Sequence, residues 1–226
     1  MWCYFRALSH TTALFFGSIR GFFRLLGGAW VLSQMEAPII SIFGGSKIDQ
    51  SHPYAKKATM LAKMLLDHGY SVVTGGGPGI MQAANCGLFK NKNSNTRGKS
   101  IGIEVEGLAE KANQCADIFI VTRYFSSRKY LLTHYSNAFV VFPGGYGTAD
   151  ELFEVLTLMQ TDNLHRLPVI LIGISYWKPL MDWVHLATEQ KLLLEEDAKL
   201  LFVTDDIDEA VAHVQRHCKD HLFHQN

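Results

Sequence analysis

The sequence predicts a single α/β domain in which helices cover both faces of a parallel β-sheet, the doubly wound or Rossmann-like arrangement. Predicted strands and helices alternate from residue 37 to the C-terminus, and the strands are continuously apolar, as strands buried on both faces are. A chain of 226 residues, 48% of them hydrophobic and 19% charged, can bury one such core. Residues 37–226 are therefore expected to form the domain, and residues 1–36 an N-terminal extension.

Short apolar runs that end in turn residues predict the strands, and longer segments with one apolar face predict the helices. The predicted strands are 39–43, 70–74, 100–105, 117–121, 138–142, 169–172 and 201–203. The predicted helices are 53–68, one ending at 88, 127–135, 149–160, 177–190 and one from 207 onward. Gly69 is placed to end the first of these helices, because glycine readily adopts the left-handed conformation that follows a helix.

The N-terminal extension predicts an amphipathic helix. Large apolar residues recur there every three or four positions: Phe15, Ile19, Phe22, Leu26 and Trp30. Three arginines and no acidic residue precede Glu36. The apolar face could pack on the domain or on a second subunit, and basic amphipathic helices also bind membrane surfaces or act as targeting segments. A disordered leader is the remaining alternative, and the longest uncharged run is too short to span a bilayer.

The overall charge argues against a nucleic-acid partner. Twenty-one basic residues balance 21 acidic ones, so binding to a polyanion by clustered cations is not expected. The four cysteines are far apart and follow no CxxC pattern, so neither a zinc site nor a disulfide framework is expected. This pattern suits a reducing compartment, and a cytoplasmic location is predicted. No metal or organic cofactor is implied.

Two glycine-rich loops each lie between a predicted strand and a helix, where parallel sheets bind ligands. The candidate phosphate-binding residues in these loops are Gly75, Gly76, Gly77, Gly79, Gly144, Gly145, Gly147 and Thr148. Glycine allows the backbone to approach a ligand closely, and the start of the following helix favours an anion. Neither loop matches the dinucleotide-binding or Walker fingerprint, so a small phosphate site is predicted.

Charged residues surround the second loop. Glu151 and Glu154 lie one turn apart at the start of the following helix. A bound phosphate would repel a carboxylate at this position, so we expect the carboxylate to have a function. Arg128 can hold a phosphate bidentately, and Lys129 adds a point charge. We expect all four in the substrate site, with Arg128 and Glu151 as the candidate catalytic pair.

These segments together resemble the LONELY GUY family of cytokinin-activating nucleotide phosphoribohydrolases, which are also labelled possible lysine decarboxylases. The resemblance covers residues 38–206 and includes the pattern from Pro143 to Glu151; differences at Ala149 and Asp150 place the chain closer to bacterial-type members. It implies hydrolysis of nucleoside 5′-monophosphates to base and ribose 5-phosphate, catalysis by Arg128 and Glu151, and a homodimer. Decarboxylation with pyridoxal phosphate would need a Schiff-base lysine with a supporting acid, and no lysine has that setting.

Other readings of the sequence predict different functions. A nucleotide sensor or carrier would keep the phosphate loops without turnover, and a DNA-processing protein could share the fold. The last helix carries His213, His217 and His221 at intervals of four, a spacing that could bind a metal. We interpret this stripe as solvated, because Val211 and Val214 already define the buried face of that helix.

Overall fold

The computed structural model describes residues 2–93, 96–108 and 113–222, with the backbone alone for residues 2–14 and 219–222. Within these residues, seven parallel strands form one sheet in the order β4-β3-β2-β1-β5-β6-β7. The strands are β1 (Ile39–Phe43), β2 (Ser71–Thr74), β3 (Ser100–Val105), β4 (Ile118–Thr122), β5 (Ala138–Val141), β6 (Val169–Ile172) and β7 (Leu201–Thr204). Every residue of β1, β2, β5 and β6 is buried, which explains their continuous apolar sequences.

Helices pack against both faces of the sheet. They are α1 (Trp2–Ser33), α2 (Pro53–Asp67), α3 (Ile80–Phe89), α4 (Phe125–His134), α5 (Tyr146–Gln160), α6 (Ile174–Glu189), α7 (Glu195–Ala198) and α8 (Ile207–Leu222). One apolar core lies under α2, α3 and α8, and a second lies under α1, α4, α5 and α6. The predicted doubly wound α/β class is therefore confirmed.

The predicted elements agree with the structure, with small shifts at their ends. Helix α5 begins at Tyr146 and α6 at Ile174, each three residues earlier than predicted, and the short α7 had no counterpart in the prediction. Gly69 follows α2 with φ of +83°, the left-handed conformation expected of a residue that ends a helix. In the part of the chain that the structure describes, no helix has the length and apolarity to cross a membrane.

The N-terminal helix forms as predicted, but it packs on the domain through a different face. Its inner face carries three glycines that leave no room for a side chain. An added Cβ would lie 3.0 Å from Arg123 at Gly17, 2.7 Å from Tyr124 at Gly21 and 2.7 Å from Leu131 at Gly28. The predicted apolar face points to solvent, with Phe15, Ile19, Phe22, Leu26 and Trp30 between 40% and 67% exposed. The helix thus packs on the domain, which was one of the expected alternatives, but it does so through its glycines and not through the apolar face that the spacing identified.

The cysteine prediction also needs correction. A disulfide joins Cys86 on α3 to Cys115, 29 positions away in the segment that leads into β4. The spacing gave no hint of it, because the two residues meet only when α3 packs on β3 and the chain crosses back beside Ser100. Cys218 is free and buried in α8. The cytoplasmic location stays a prediction, and it no longer draws support from the cysteines.

The histidine stripe of α8 is only partly solvated. His213 stacks on Phe202 with ring centroids 4.2 Å apart, and burial lowers the pKa of His213 to about 4. His217 lies 4.6 Å from it and is exposed, while the side chain of His221 is outside the described part. Among the described residues, no group of three metal-ligating side chains converges.

Candidate active site

The candidate site lies where the direction of chain progression across the sheet reverses. Strand β1 lies between β2 and β5, so the chain moves one way from β1 to β4 and the other way from β5 to β7. The loops after β1 and β5 separate at this point, and parallel sheets bind ligands there. The two loops meet where Gly45 N donates a 3.0 Å hydrogen bond to Pro143 O, and a cavity of about 780 Å³ opens beside them.

Arg128 and Glu151 form an ion pair in the wall of this cavity. The Nη2 atom of Arg128, on α4, lies 3.0 Å from Oε1 of Glu151, in the second turn of α5. The two side chains are 10% and 14% exposed, so water screens their interaction little. The structure thus brings together the two residues predicted to be catalytic.

Glu151 has an unusual acidity for a glutamate. Burial raises its pKa to about 7, from an ordinary value of 4.5, although the adjacent Arg128 guanidinium acts in the opposite direction. A carboxyl group with a pKa near 7 can gain or lose a proton under the conditions in which most enzymes work. Glu151 is therefore suited to accept a proton or to stabilise a developing positive charge.

Lys129 is paired with two carboxylates beside the Arg128–Glu151 ion pair. Its Nζ atom lies 2.6 Å from Glu154 Oε2 and 3.1 Å from Asp150 Oδ2. Burial lowers the pKa of Lys129, but the two carboxylates outweigh that effect, and the pKa lies above its ordinary value. Lys129 and Asp150 line the cavity, whereas Glu154 lies behind them. This arrangement gives Lys129 and Glu154 a role in joining α4 to α5, and their predicted contact with substrate stays a prediction.

The second glycine loop supplies the floor of the cavity. Gly145, Tyr146 and Gly147 are exposed at the start of α5, whose first N–H groups have no partner within the helix. Thr148 is buried, and a Cβ at Gly144 would lie 2.1 Å from its hydroxyl oxygen, so only glycine fits there. The hydroxyl of Tyr176 donates a hydrogen bond to the Gly144 carbonyl. This loop has the form of an anion-binding site.

The first glycine loop lies beneath the cavity rather than along it. Of the described residues, those lining the cavity do not include Gly75, Gly76, Gly77 or Gly79. A Cβ at Gly75 would lie 2.1 Å from Nη2 of Arg128, so this glycine makes room for the guanidinium group. A direct phosphate contact from this loop stays a prediction, and the geometry gives the loop a role in seating Arg128.

Hydrogen bonds and close packing hold the first glycine loop in place. Asn113 donates to the carbonyl oxygens of Gly76 and Gly77, at 2.9 and 3.2 Å. A Cβ at Gly79 would lie 2.2 Å from Gly45 O, so Gly79 lets the loops after β1 and β2 touch. These contacts fix the surface on which the Arg128 guanidinium rests.

Several cavity residues were not predicted from the sequence. The loop after β1 and the start of α2 contribute Gly44, Gly45, Ser46, Lys47, Ile48, His52 and Tyr54, and other segments contribute Met81, Leu108, Phe125, Tyr146 and Tyr176. The loop after β1 reaches the site because β1 pairs with β5, and no local pattern in the sequence shows that pairing. Ile48, Met81, Leu108 and Phe125 add apolar side chains to the lining of the cavity.

Glu104 was also missed, although it is the one charged residue in the apolar strand β3. Its side chain packs against Gly76, where an added Cβ would lie 2.7 Å from Glu104 Cγ. Burial raises the pKa of Glu104, and the nearby charge of Arg128 opposes this shift. Among the described residues, no hydrogen-bond partner reaches Glu104 Oε1 or Arg128 Nε. The signal that could have identified Glu104 from the sequence is an acidic residue within a predicted buried strand.

The same residues fall within a known family. A family model described as "Possible lysine decarboxylase" matches residues 81–214, which include Arg128, the second glycine loop and Glu151. The chain belongs to this family. Curated relatives carry the LOG name, which confirms the resemblance to the LONELY GUY family. "Cytokinin riboside 5'-monophosphate phosphoribohydrolase LOG" of Oryza sativa subsp. japonica is 25% identical, over 80% of this chain and 74% of its own.

Two further relatives of this chain have similar names. "Cytokinin riboside 5'-monophosphate phosphoribohydrolase" of Rhodococcoides fascians is 26% identical, over 78% of this chain and 88% of its own. "Probable cytokinin riboside 5'-monophosphate phosphoribohydrolase LOG6" of Arabidopsis thaliana is 30% identical, over 69% and 76%. These relatives support a hydrolase in broad terms.

Solved structures with the same fold carry a different description. The molybdenum cofactor carrier protein of Chlamydomonas reinhardtii is 25% identical, with a TM-score of 0.60, over 81% of this chain and 99% of its own. The molybdenum cofactor binding protein of Rippkaea orientalis, 23% identical with the same TM-score, shares the fold. The fold therefore serves carriers as well as hydrolases, and only the site can distinguish them.

Proposed function

We propose that this LOG-family protein hydrolyses the N-glycosidic bond of nucleoside 5′-monophosphates, releasing the free base and ribose 5-phosphate. The observation that carries the proposal is the Arg128–Glu151 ion pair, 3.0 Å long, in the wall of a cavity that is also lined by the glycine loop at the start of α5. The names of the curated relatives support the same reaction. The proposed substrates are cytokinin riboside monophosphates, which the names of the relatives state, and adenosine monophosphate, which is the simpler nucleotide of the same class.

The phosphate has one well-suited position in the cavity. Gly145 and Gly147 leave the start of α5 open, because an added Cβ at either position would meet no atom within 4 Å. The first N–H groups of α5 and the positive end of its dipole then face the phosphate. Thr148 lies in the same first turn of α5, and Arg128 lies on α4, which is joined to α5 by the ion pair with Glu151. Binding the non-reacting phosphate there fixes the ribose relative to Glu151.

Glu151 carries the chemistry in this proposal. As the base leaves, positive charge builds on C1′ of the ribose, and an ionised carboxylate nearby stabilises that charge. The carboxylate also accepts a proton from the water that attacks C1′, and that proton passes to the departing base. Covalent attack by Glu151 on C1′ is the alternative mechanism, and trapping of a glycosyl-enzyme intermediate distinguishes the two.

Apolar side chains in the cavity lining provide the surface for the base. Ile48, Met81, Leu108 and Phe125 contribute them, and Phe125 is 54% exposed, so its ring is available to a planar ligand. The guanidinium carbon of Arg128 lies 5.9 Å from the Phe125 ring centroid, and the same guanidinium group is paired with Glu151. A purine stacked on Phe125 is therefore expected to lie beside the Arg128–Glu151 pair.

Direct detection of the products tests the proposal. Purified protein is incubated with AMP, GMP, CMP, UMP and a cytokinin riboside 5′-monophosphate, and free base is separated by chromatography. We expect release from at least one nucleotide, and loss of that release in Glu151→Gln. Tight binding of the same nucleotides without release would instead favour a carrier, the description that the solved Chlamydomonas structure has.

The homodimer implied by the family and the cytoplasmic location belong to the same proposal. Sedimentation equilibrium of the full chain tests the first, and a mass of one chain would contradict it. Fractionation of the source cells tests the second.

A further inference from the structure

The exposed face of α1 is a continuous apolar stripe with no role in the site. Its members are Phe15, Phe16, Ile19, Phe22, Phe23, Leu26 and Trp30, each between 40% and 69% exposed. With about 100° between successive helix positions, all seven fall within about 120° of the helix circumference. No charged residue interrupts the stripe. At about 200 Å² for each large side chain, it exposes roughly 800 Å² of apolar surface, more than the largest patch of most monomers.

The helix is held on the domain so that this stripe faces outward. Gly17, Gly21, Gly28 and Leu32 are buried against β4 and α4, on the opposite side of α1. The contacting glycines bring the helix backbone onto Tyr124 and Leu131, leaving the aromatic side chains on the far side. Leaving so much apolar surface in water is unfavourable, so an apolar partner that covers the outward stripe would stabilise this arrangement.

The charges along the stripe indicate what that partner is. Arg20, which follows Ile19 directly and lies on the flank of the stripe, is 3.0 Å from Glu106. Arg24 and Arg123 lie 2.9 and 3.8 Å from the same carboxylate. Three guanidinium groups around one carboxylate leave this cluster with a net charge of +2. Arg20 is 56% exposed, so the cluster can reach an anion beside the stripe.

We propose that α1 docks this protein on an anionic lipid membrane, with the stripe inserted among the acyl chains and the Arg20 cluster at the headgroups. Helices of this kind lie in the plane of the interface, with Phe, Trp and Leu inward and cations at the lipid phosphates. A second copy of the chain is the other apolar partner to consider. It would bring no acidic residue from its own α1 to the cluster, since residues 1–35 contain none.

Vesicle flotation of the full-length protein tests this inference. Phosphatidylcholine vesicles are compared with vesicles that also contain phosphatidylglycerol, at low and high salt. We expect the protein to float with the anionic vesicles, and more weakly at high salt. The double variant Phe16→Ser/Phe23→Ser should bind about tenfold more weakly or worse. Both side chains are about two-thirds exposed, so the fold and the nucleotide reaction should be unchanged.

Two further variants separate the contributions. Arg20→Gln should weaken binding to anionic vesicles about fivefold and leave binding to neutral vesicles unchanged, the effect of one cation at a charged surface. Leu192→Ser/Leu194→Ser is the matched control, because these residues are 71% and 61% exposed but lie far along the chain from α1. Its flotation should equal that of the unmodified protein.

Three results would overturn the inference. Equal flotation with neutral and anionic vesicles would show that the Arg20 cluster does not select anionic lipids. Absence of flotation with either kind of vesicle would show that α1 does not bind membranes. A mass of two chains that falls to one in the Phe16→Ser/Phe23→Ser variant, without flotation, would assign the stripe to a second copy. Each result is independent of nucleotide hydrolysis.

Discussion

The pH dependence of hydrolysis tests the role of Glu151 more sharply than loss of activity alone. Its pKa of about 7 arises because burial disfavours the charged form more than Arg128 favours it. If the ionised carboxylate is the reacting form, kcat/KM must rise as pH increases through this pKa. About one-eleventh of the enzyme is ionised at pH 6 and about ten-elevenths at pH 8, so a rise of about tenfold is expected.

The same pKa shift predicts how stability changes with pH. The folded protein keeps the Glu151 proton up to about pH 7, whereas the unfolded chain loses it near the ordinary value of 4.5. The folded state therefore binds more protons between these values, and the free energy of unfolding falls as pH rises through this window. The fall amounts to about 3 kcal/mol, since one pKa unit corresponds to about 1.4 kcal/mol.

Kinetics and chemical denaturation of the native protein and Glu151→Gln provide the assay. The variant should lose about two orders of magnitude in kcat, retain nucleotide binding, and lack the fall in stability between pH 5 and 7. A native kcat/KM that is level from pH 6 to 8 would refute an elevated pKa. Turnover close to normal in Glu151→Gln would refute the assignment of the reacting carboxylate.

Three other substitutions have defined outcomes. Arg128→Lys replaces a planar fork with a point charge, so kcat/KM should fall by at least about tenfold; unchanged steady-state kinetics would contradict this role. Gly75→Ala places a Cβ 2.1 Å from Nη2 of Arg128, so activity should fall while circular dichroism still shows a folded protein. Gly28→Ala places a Cβ 2.7 Å from Leu131 and should destabilise the protein by about 1–3 kcal/mol, measured by urea denaturation. Gly27→Ala is its matched control, because a Cβ there meets no atom within 4 Å and should raise helix stability by up to about 1 kcal/mol.

Much of the fold could be predicted because it depends on local pattern. Buried parallel strands such as β1 and β5 are continuously apolar, and Gly69 marks the end of α2 by its own conformational freedom. Arg128 and Glu151 were predicted as site residues from the glycine loop and the predicted helix starts beside them, and their pairing as catalytic residues rests on the resemblance to the LONELY GUY family. The strands and helices are confirmed because their signals lie within a few residues of each other, whereas the catalytic roles stay a prediction.

The remainder depended on which elements meet in space. The spacing of apolar residues in α1 placed Phe22 and Trp30 on one face of a helix, but it could not show that the glycines of the opposite face contact the domain. The Cys86–Cys115 disulfide and the cavity lining from Ser46 to Tyr54 likewise require the packing of α3 and the pairing of β1 with β5. No local pattern carries that information.

The double connection between α4 and α5 has a consequence for how a ligand is received. Consecutive residues of α4, Arg128 and Lys129, each hold a carboxylate of α5, so Glu151 and Glu154 are fixed from two directions. The Glu151 carboxylate is thus held in place before any nucleotide arrives, and little reorientation is expected on binding. Association should then follow a single kinetic phase without a slow isomerisation, a behaviour more typical of a rigid receptor than of a lid-gated enzyme.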